Sequence, residues 1–147
     1  MKYIYLTLFF LMCVSFHIQG ADILVSIQNI RNNNGQILFA LHNKPEAFPS
    51  NPDLASQKAI VIIQKNTKLD DNYITTYTFK NVMPGIYAVA TVHDENSNGN
   101  LDTFFFRPTE GYGTSNDIRG IFGPPSFQDA KFEVASQNVS IDIRMGY

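Results

Sequence analysis

The stretch HDENSNGNLD, residues 93–102, gathers three carboxylates, three asparagines and one glycine within ten positions. Counted from its first aspartate, oxygen-bearing side chains stand at positions one, three and five, a glycine at six and a carboxylate at nine. Hard oxygen ligands at alternate positions around a glycine are typical of an EF-hand calcium loop, in which the backbone coils around the ion. The spacing therefore predicts a Ca²⁺ site with these ligands, the fourth through its backbone carbonyl: Asp94, Asn96, Asn98, Asn100 and Asp102.

The predicted site is incomplete at its end. Position twelve, where an EF-hand loop carries a bidentate glutamate, is Phe105. A last carboxylate must come from elsewhere, and Glu110 is the predicted ligand, with Asp117 as the other near candidate. So few charged ligands predict a weak affinity, roughly 10⁻⁴ to 10⁻³ M. The alternative interpretation is an Asx-rich loop whose side chains hydrogen-bond their own backbone, with Asn98-Gly99 as a tight turn.

A second hypothesis is a hydrolase that uses His93, Asp94 and Glu110. Alternation along the preceding apolar run places His93 on the same face as Tyr87 and Val89. No nucleophile elbow or metal-hydrolase spacing lies nearby. We therefore expect His93 to brace the loop by a hydrogen bond, and we predict no catalytic residue.

The aromatic segment FFFRPTEGYG, residues 104–113, supports a third hypothesis, an accessory module that binds a carbohydrate or a protein. In that case Phe104, Phe105, Phe106 and Tyr112 would have to lie exposed together. Because large aromatic rings bury so much apolar area, the favoured interpretation is that these side chains cover an open end of the fold as a small core.

Alternating apolar and polar residues predict about seven strands and no long helix, which together indicate an all-β, antiparallel β-sandwich. Residues 22–42 read as a hairpin around Asn34-Gly35. The run at 58–64 is apolar on both faces, which predicts a buried strand. The remaining strands are predicted at 77–81, 85–93, 130–134 and 139–145.

The segments between the predicted strands also have sequence patterns that predict their structure. Met83-Pro84-Gly85 has the pattern of a type II turn, and Ala88 and Ala90 leave one face of a central strand open to close approach by another layer. Residues 101–129 are rich in glycine, proline and aromatic residues without periodicity, which predicts one long, functional or wrapped loop. Ser126, three residues before Asp129, predicts a single capped helical turn.

The first twenty residues have the layout of a secretory signal peptide, with Lys2, an unbroken apolar stretch and a small residue at Gly20. The apolar part is shorter than the roughly 20 residues of a membrane span, so a signal peptide is favoured over a membrane anchor. We expect residues 1–20 to be removed and residues 21–147 to form one exported domain, periplasmic or at the cell surface. The only cysteine, Cys13, leaves with the signal peptide, so the domain has no disulfide.

The charge and composition of the chain limit the classes of partner that can be predicted. Without Lys2, the eleven basic side chains become ten, against thirteen acidic ones, and they form no basic stripe. Nucleic acid is therefore not a predicted partner. The sequence contains no lysine-rich amphipathic stretch, so it does not predict binding to a membrane surface. A surface glycan or a protein remains as the predicted partner.

The run from Met83 to Val134 resembles a bacterial secreted family, catalogued as domain of unknown function 2141. In that family a Pro-Gly turn precedes a Tyr-Ala strand, and in this chain these are Pro84-Gly85 and Tyr87-Ala88. Three further family motifs follow in order, HDENGNGKLD, P-x-E-G-Y-G-x-S and PPSFEDA. They resemble residues 93–102, 108–115 and 124–130 of this chain.

The chain departs from this pattern at Phe106 and Arg107, where the family has a small residue and glycine, and at Ser97, where glycine is usual. The resemblance implies an exported, immunoglobulin- or transthyretin-like sandwich with no assigned activity.

Overall fold

The computed structural model describes residues 19–65, 73–120 and 123–147. Almost all of the predicted signal peptide lies outside this part of the chain. None of the helices described there is long and apolar enough to cross a membrane. The longer strands are β1 (Ala21–Ile30), β2 (Gln36–His42), β3 (Gln57–Ile62), β5 (Tyr73–Val82), β6 (Gly85–Asp94) and β11 (Val139–Arg144). The shorter ones are β4 (Gln64–Lys65), β7 (Thr103–Phe104), β8 (Arg107–Pro108), β9 (Gly111–Thr114) and β10 (Phe132–Val134).

These strands form two packed sheets and one small hairpin. The first sheet has the order β11-β1-β5-β4, and the second has the order β10-β6-β2-β3, with β9 also pairing along β6. Among the described residues, β7 and β8 pair only with each other. Neighbouring strands are antiparallel except β1 and β11, which run parallel. The predicted all-β sandwich is confirmed, and each of the seven predicted strands is present.

The core lies between the two sheets and consists of the inward-facing side chains of both. Alternation in the sequence identifies this set correctly, because successive side chains of a strand point to opposite faces. Its members include Ile23, Val25, Ile27, Phe79 and Ile143 from the first sheet and Ile37, Phe39, Leu41, Tyr87 and Val89 from the second.

The predicted hairpin over residues 22–42 is wrong. β1 pairs with β5 and β11, whereas β2 pairs with β3 and β6, so the two strands lie in opposite sheets. The connection between them crosses the edge of the sandwich at Gly35, whose φ is +66°. A Cβ at this position would lie 1.9 Å from the carbonyl oxygen of Asp94, so the close approach to the end of β6 requires glycine.

β3 is an edge strand, and the prediction of a strand buried on both faces is wrong. Its side chains alternate, with Ala59 and Val61 packed against the core. Ile60 and Ile62 point outward and are 65% and 75% exposed. The apolar composition of this run therefore reflects one buried face and one solvent-facing pair.

The segment Met83-Pro84-Gly85 is not a type II turn. It carries the chain from β5 in the first sheet to β6 in the second, so it joins two layers. Gly85 is not among the residues with positive φ, which the third position of that turn requires.

A small second cluster covers the outer face of β6, as the alanines predict. Ala88 is fully buried and Ala90 is nearly so, and Phe48, Phe127 and Ala130 pack with them. Phe127 and Ala130 belong to the helical turn α1 (Phe127–Ala130). The Ser126 hydroxyl caps this turn by accepting the Asp129 N–H at 3.2 Å, which confirms the predicted cap.

The region 101–129 is more regular than its composition predicts. It contains β7, β8, β9, a turn over Ser115–Asp117 in which Asn116 and Asp117 have positive φ, and the start of α1. β9 pairs with residues 90–93 of β6, which adds a strand beside the acidic loop. The sequence does not reveal β9, because two of its four residues are glycine.

Ala88→Leu should destabilise the domain, because the fully buried alanine faces the phenylalanines of the second cluster. Overpacking of this kind costs about 1–3 kcal/mol. The matched control, Ala135→Leu, changes an exposed alanine and should stay within about 0.5 kcal/mol of the parent. Urea denaturation measures both; equal stability of the two variants would contradict the close packing on this face.

Candidate functional site

The acidic loop begins at Asp94, the last residue of β6, whose carboxylate is fully buried. One oxygen, Oδ1, accepts the Asn98 N–H at 2.9 Å. The other accepts the Gly99 N–H at 2.8 Å and the Gln36 side-chain amide at 2.9 Å. Gly99 has a φ of +83° and Ser97 a φ of +60°, so the backbone coils around this carboxylate. The sequence reveals nothing of Gln36, the partner from β2.

The amide side chains of the loop converge on Asp102. Asn96 and Asn98 donate from their Nδ2 atoms to its two carboxylate oxygens at 2.6 and 3.0 Å. The Oδ1 of Asn96 accepts the Asn98 N–H at 3.0 Å, and the Oδ1 of Asn98 accepts the Asn100 N–H at 2.8 Å. The side chains of Asn96 and Asn98 thus meet at Asp102 through their nitrogen atoms, whereas the Asp94 carboxylate faces the backbone N–H groups of the loop. The Asx-type hydrogen bonds of the alternative interpretation are present.

Glu110 closes the loop. It is 5% exposed and immediately precedes β9. Its carboxylate accepts the N–H of Glu95 at 2.8 Å and the N–H of Asp102 at 3.0 Å, so one side chain ties together both ends of the loop. Asp117 lies elsewhere, where it accepts the Arg144 N–H at 2.7 Å. Of the two candidates for a last carboxylate, the structure brings only Glu110 to the loop.

Three carboxylates at this loop, those of Asp94, Asp102 and Glu110, have no cationic partner within the described ranges, whereas Glu95 pairs with Arg31. Asp94, Asp102 and Glu110 receive their hydrogen bonds from neutral amide groups, and the ion pairs found there involve other residues. Buried carboxylates that lack an opposite charge are costly. No three His, Cys, Asp or Glu side chains in the described part of the chain stand close enough together to hold a metal ion; asparagine oxygens are outside that set.

His93 lies inside the sandwich, and among the described residues its hydrogen bonds go to Asn34 and Tyr147, not to the acidic loop that it was expected to brace. It is fully buried; its Nε2 lies 2.9 Å from the Asn34 carbonyl oxygen and its Nδ1 lies 2.7 Å from the Tyr147 hydroxyl. Since a carbonyl can only accept, Nε2 donates to it, and in the neutral imidazole Nδ1 then accepts from the tyrosine hydroxyl. His93 forms no hydrogen bond with Asp94 or Glu110 there, so the geometry gives the hydrolase hypothesis no support.

A cluster of polar and charged residues surrounds Tyr147, and the sequence does not predict it. Arg31 donates from Nε to Glu95 at 2.8 Å, and its guanidinium lies over the Tyr147 ring, 4.4 Å from the ring centroid. Burial raises the pKa of Glu95, but hydrogen bonds from Asn32 and Arg31 and the Arg31 charge outweigh it and hold this pKa below its usual value. Burial raises the pKa of Tyr147, which keeps the hydroxyl protonated as a donor to His93.

His42 is the second buried histidine, and its surroundings are different. It is fully buried beside Phe48, and neither ring nitrogen has a hydrogen-bond partner among the described residues. Burial lowers its pKa below the usual value of 6.5, because the charged form loses its hydration. This histidine is therefore neutral in the folded domain at neutral pH.

The aromatic segment forms an exposed hairpin, residues 103–108, so the favoured prediction of a small core is wrong. Phe104, Phe105 and Phe106 are 67%, 80% and 100% exposed. Phe105 and Phe106 form the two-residue turn between β7 and β8, with φ of +45° and +64°. Positive φ at a bulky residue costs about 1–2 kcal/mol. Tyr112 is partly buried in β9 and lies outside this hairpin.

The family model described as an uncharacterized protein conserved in bacteria, domain of unknown function 2141, matches residues 25–142. The chain belongs to this family. No curated protein and no solved structure matches it significantly. The match spans both sheets, the acidic loop and the aromatic hairpin, so the site is part of the family's domain.

Glu110→Gln should destabilise the domain. The carboxamide keeps one acceptor oxygen, but its NH₂ then faces one of the two backbone N–H groups that the carboxylate accepts. A donor left unsatisfied in a buried position costs about 1–3 kcal/mol, which urea denaturation resolves. Glu133→Gln, an exposed change on β10, is the control and should have almost no effect. An equally small effect at position 110 would mean that the carboxylate does not hold the loop.

Lower pH should destabilise the domain through His42. Well above pH 6.5 its side chain is neutral in both the folded and unfolded chain and adds no pH dependence. Below pH 6.5 the unfolded chain binds a proton that the folded chain resists, so the free energy of unfolding falls as the pH decreases. His42→Leu should make the fall shallower in chemical denaturation between neutral pH and pH 5. If the pH dependence of the free energy of unfolding is unchanged in this variant, other titratable groups cause the loss of stability.

Proposed function

We propose that the domain is an exported binding module in which a calcium-stabilised loop, residues 94–102, presents the aromatic hairpin 103–108 to a partner. The observation that carries the proposal is the exposure of all three phenylalanines of the hairpin. Apolar side chains that leave the core and gather at one exposed point mark an interaction site. The predicted signal peptide supports export to the periplasm or the cell surface.

The acidic loop fixes the base of the hairpin. Glu110 accepts the Asp102 N–H at 3.0 Å, and Asp102 accepts the Thr109 N–H through its backbone oxygen at 2.9 Å. These bonds join the residue before β7 to the two residues after β8. Any ordering of the loop therefore orders the hairpin that it carries.

Calcium fits the donor chemistry of this loop. Its carboxylates and asparagine amides supply hard oxygen atoms, and each oxygen that accepts one N–H keeps a further lone pair. Rotation of the Asn96 and Asn98 amides by half a turn would direct their oxygens, in place of their nitrogens, toward Asp102. A divalent cation would also supply the opposite charge that the carboxylates lack. The proposed ligands are Asp94, Asn96, Asn98, the Asn100 carbonyl, Asp102 and Glu110.

Calcium should raise the melting temperature of the domain after chelator treatment. At a Ca²⁺ concentration roughly tenfold above Kd, a ligand of the folded state alone adds about 1.4 kcal/mol, or about 3–8 °C. Asp102→Asn should remove most of this rise, because it deletes one ligand charge at a partly exposed position and so spares the core. The control, Asp142→Asn, lies exposed on β11 and should respond like the parent.

Differential scanning fluorimetry with Ca²⁺, Mg²⁺ and EDTA distinguishes the alternatives. A rise with Ca²⁺ that Asp102→Asn removes supports the proposal. An identical melting curve in millimolar Ca²⁺ and in EDTA would reject calcium and leave a loop held by its own Asx hydrogen bonds.

A further inference from the structure

We propose that the partner of the aromatic hairpin, residues 103–108, is a lipid bilayer surface, into which Phe105 and Phe106 insert. This proposal rests on the proposed function, in which the acidic loop presents the hairpin to a partner, and it specifies the chemical class of that partner. It does not require the basic amphipathic stretch that the sequence lacks. Apolar insertion at one point is a separate route to a membrane surface.

The exposed area is too small for a stable protein interface but sufficient for insertion. The three rings, at 67%, 80% and 100% exposure, offer roughly 500 Å² of apolar surface in total. A standard protein interface buries about 800 Å² on each partner. A lipid surface needs no complementary partner area, because any apolar group that enters it leaves water.

The shape of the hairpin also favours lipid. Phe105 and Phe106 occupy the turn itself, so their rings form a convex end. The rings of Phe104 and Phe105 meet edge to face, with interplanar angle 79° and centroids 4.5 Å apart, and therefore form no flat platform on which a sugar ring could stack. Phenylalanine has no polar atom to hydrogen-bond a glycan or a peptide, whereas a fluid acyl layer accepts rings in any orientation.

The charges beside the tip match the layers of a membrane surface. Arg107 pairs with Phe104 across the hairpin, one position behind the turn. It is exposed and belongs to no ion pair within the described residues, which leaves its guanidinium free to contact a lipid phosphate. Below it lie Asp102 and the acidic loop, which remain in water. Two strand residues span about 7 Å, close to the usual depth of interfacial insertion.

Vesicle flotation tests the proposal with protein that its expression host has exported and processed. The vesicles contain equal parts of phosphatidylcholine and phosphatidylglycerol. The test variant combines Phe105→Asn with Phe106→Gly, because Asn-Gly favours a turn with two positive φ values and so keeps the hairpin while removing the rings. The control combines Ile60→Thr with Ile62→Thr, which removes two exposed apolar side chains on β3.

We expect the parent and the control to float with the vesicles and the Asn-Gly variant to lose about tenfold or more in partition coefficient. Arg107→Gln should weaken binding to these vesicles more than to pure phosphatidylcholine vesicles. The Asn-Gly variant should retain the Ca²⁺-dependent rise in melting temperature, so loss of vesicle binding and failure of the calcium site are separate results.

Three results would overturn the proposal. The first is a parent protein that does not float at any lipid concentration. The second is a control that loses as much binding as the Asn-Gly variant. The third is a dimer, found by gel filtration without lipid, that the Asn-Gly change dissociates. That last result would identify a second copy of this chain as the partner.

Discussion

The carboxylate of Glu110 holds two separate segments of backbone at fixed positions. One oxygen accepts the N–H of Glu95, at the start of the acidic loop, and the other accepts the N–H of Asp102, at its end. β9 follows directly and pairs with β6, the strand from which the loop leaves. The loop and the hairpin beyond it are therefore anchored to the central strand of the second sheet at both ends.

This anchoring explains how a domain with a small hairpin can hold large apolar side chains in water. The strands β7 and β8 have two residues each and, within the described part of the chain, pair only with each other, so they have little stability of their own. The hydrogen bonds at Asp102 supply the missing support from below. Behind the loop, both ring nitrogens of the buried His93 have hydrogen-bond partners, the Asn34 carbonyl oxygen and the Tyr147 hydroxyl.

The sequence predicts which side chains are buried better than it predicts which strands pair. Alternation identifies Ile23, Val25 and Ile27 as core residues because the side-chain period of a strand is two. It does not identify the neighbours of β1, because the same buried face fits a hairpin with β2 and the observed pairing with β5 and β11. Ile60 is exposed because the second cluster covers the outer face of the sheet at β6 and not at β3, and the sequence of β3 does not show which part of that face is covered.

The candidate site is also predicted only in part, because residues close together in sequence are identified and residues from distant strands are not. Residue types and spacing bring out Asp94, Asn98 and Asp102 because the ligands of a coiled loop are close in sequence. They also select Glu110 as the nearest later carboxylate. Gln36 and Tyr147 come from distant strands and carry no local signal. The phenylalanines were expected to be buried from their size alone, but a two-residue turn between two-residue strands is too short to fold back onto the sandwich.

The parallel pairing of β1 with β11 bears on the order in which the domain can assemble. β1 occupies an interior position in its sheet, yet one of its neighbours lies at residues 139–144. Because a polypeptide is synthesised from its N-terminus, β1 is complete before β11 exists and keeps one unpaired edge until the last segment arrives. Such an edge is prone to join other chains. Shielding of β1 until residues 139–144 are in place therefore favours correct folding of this domain.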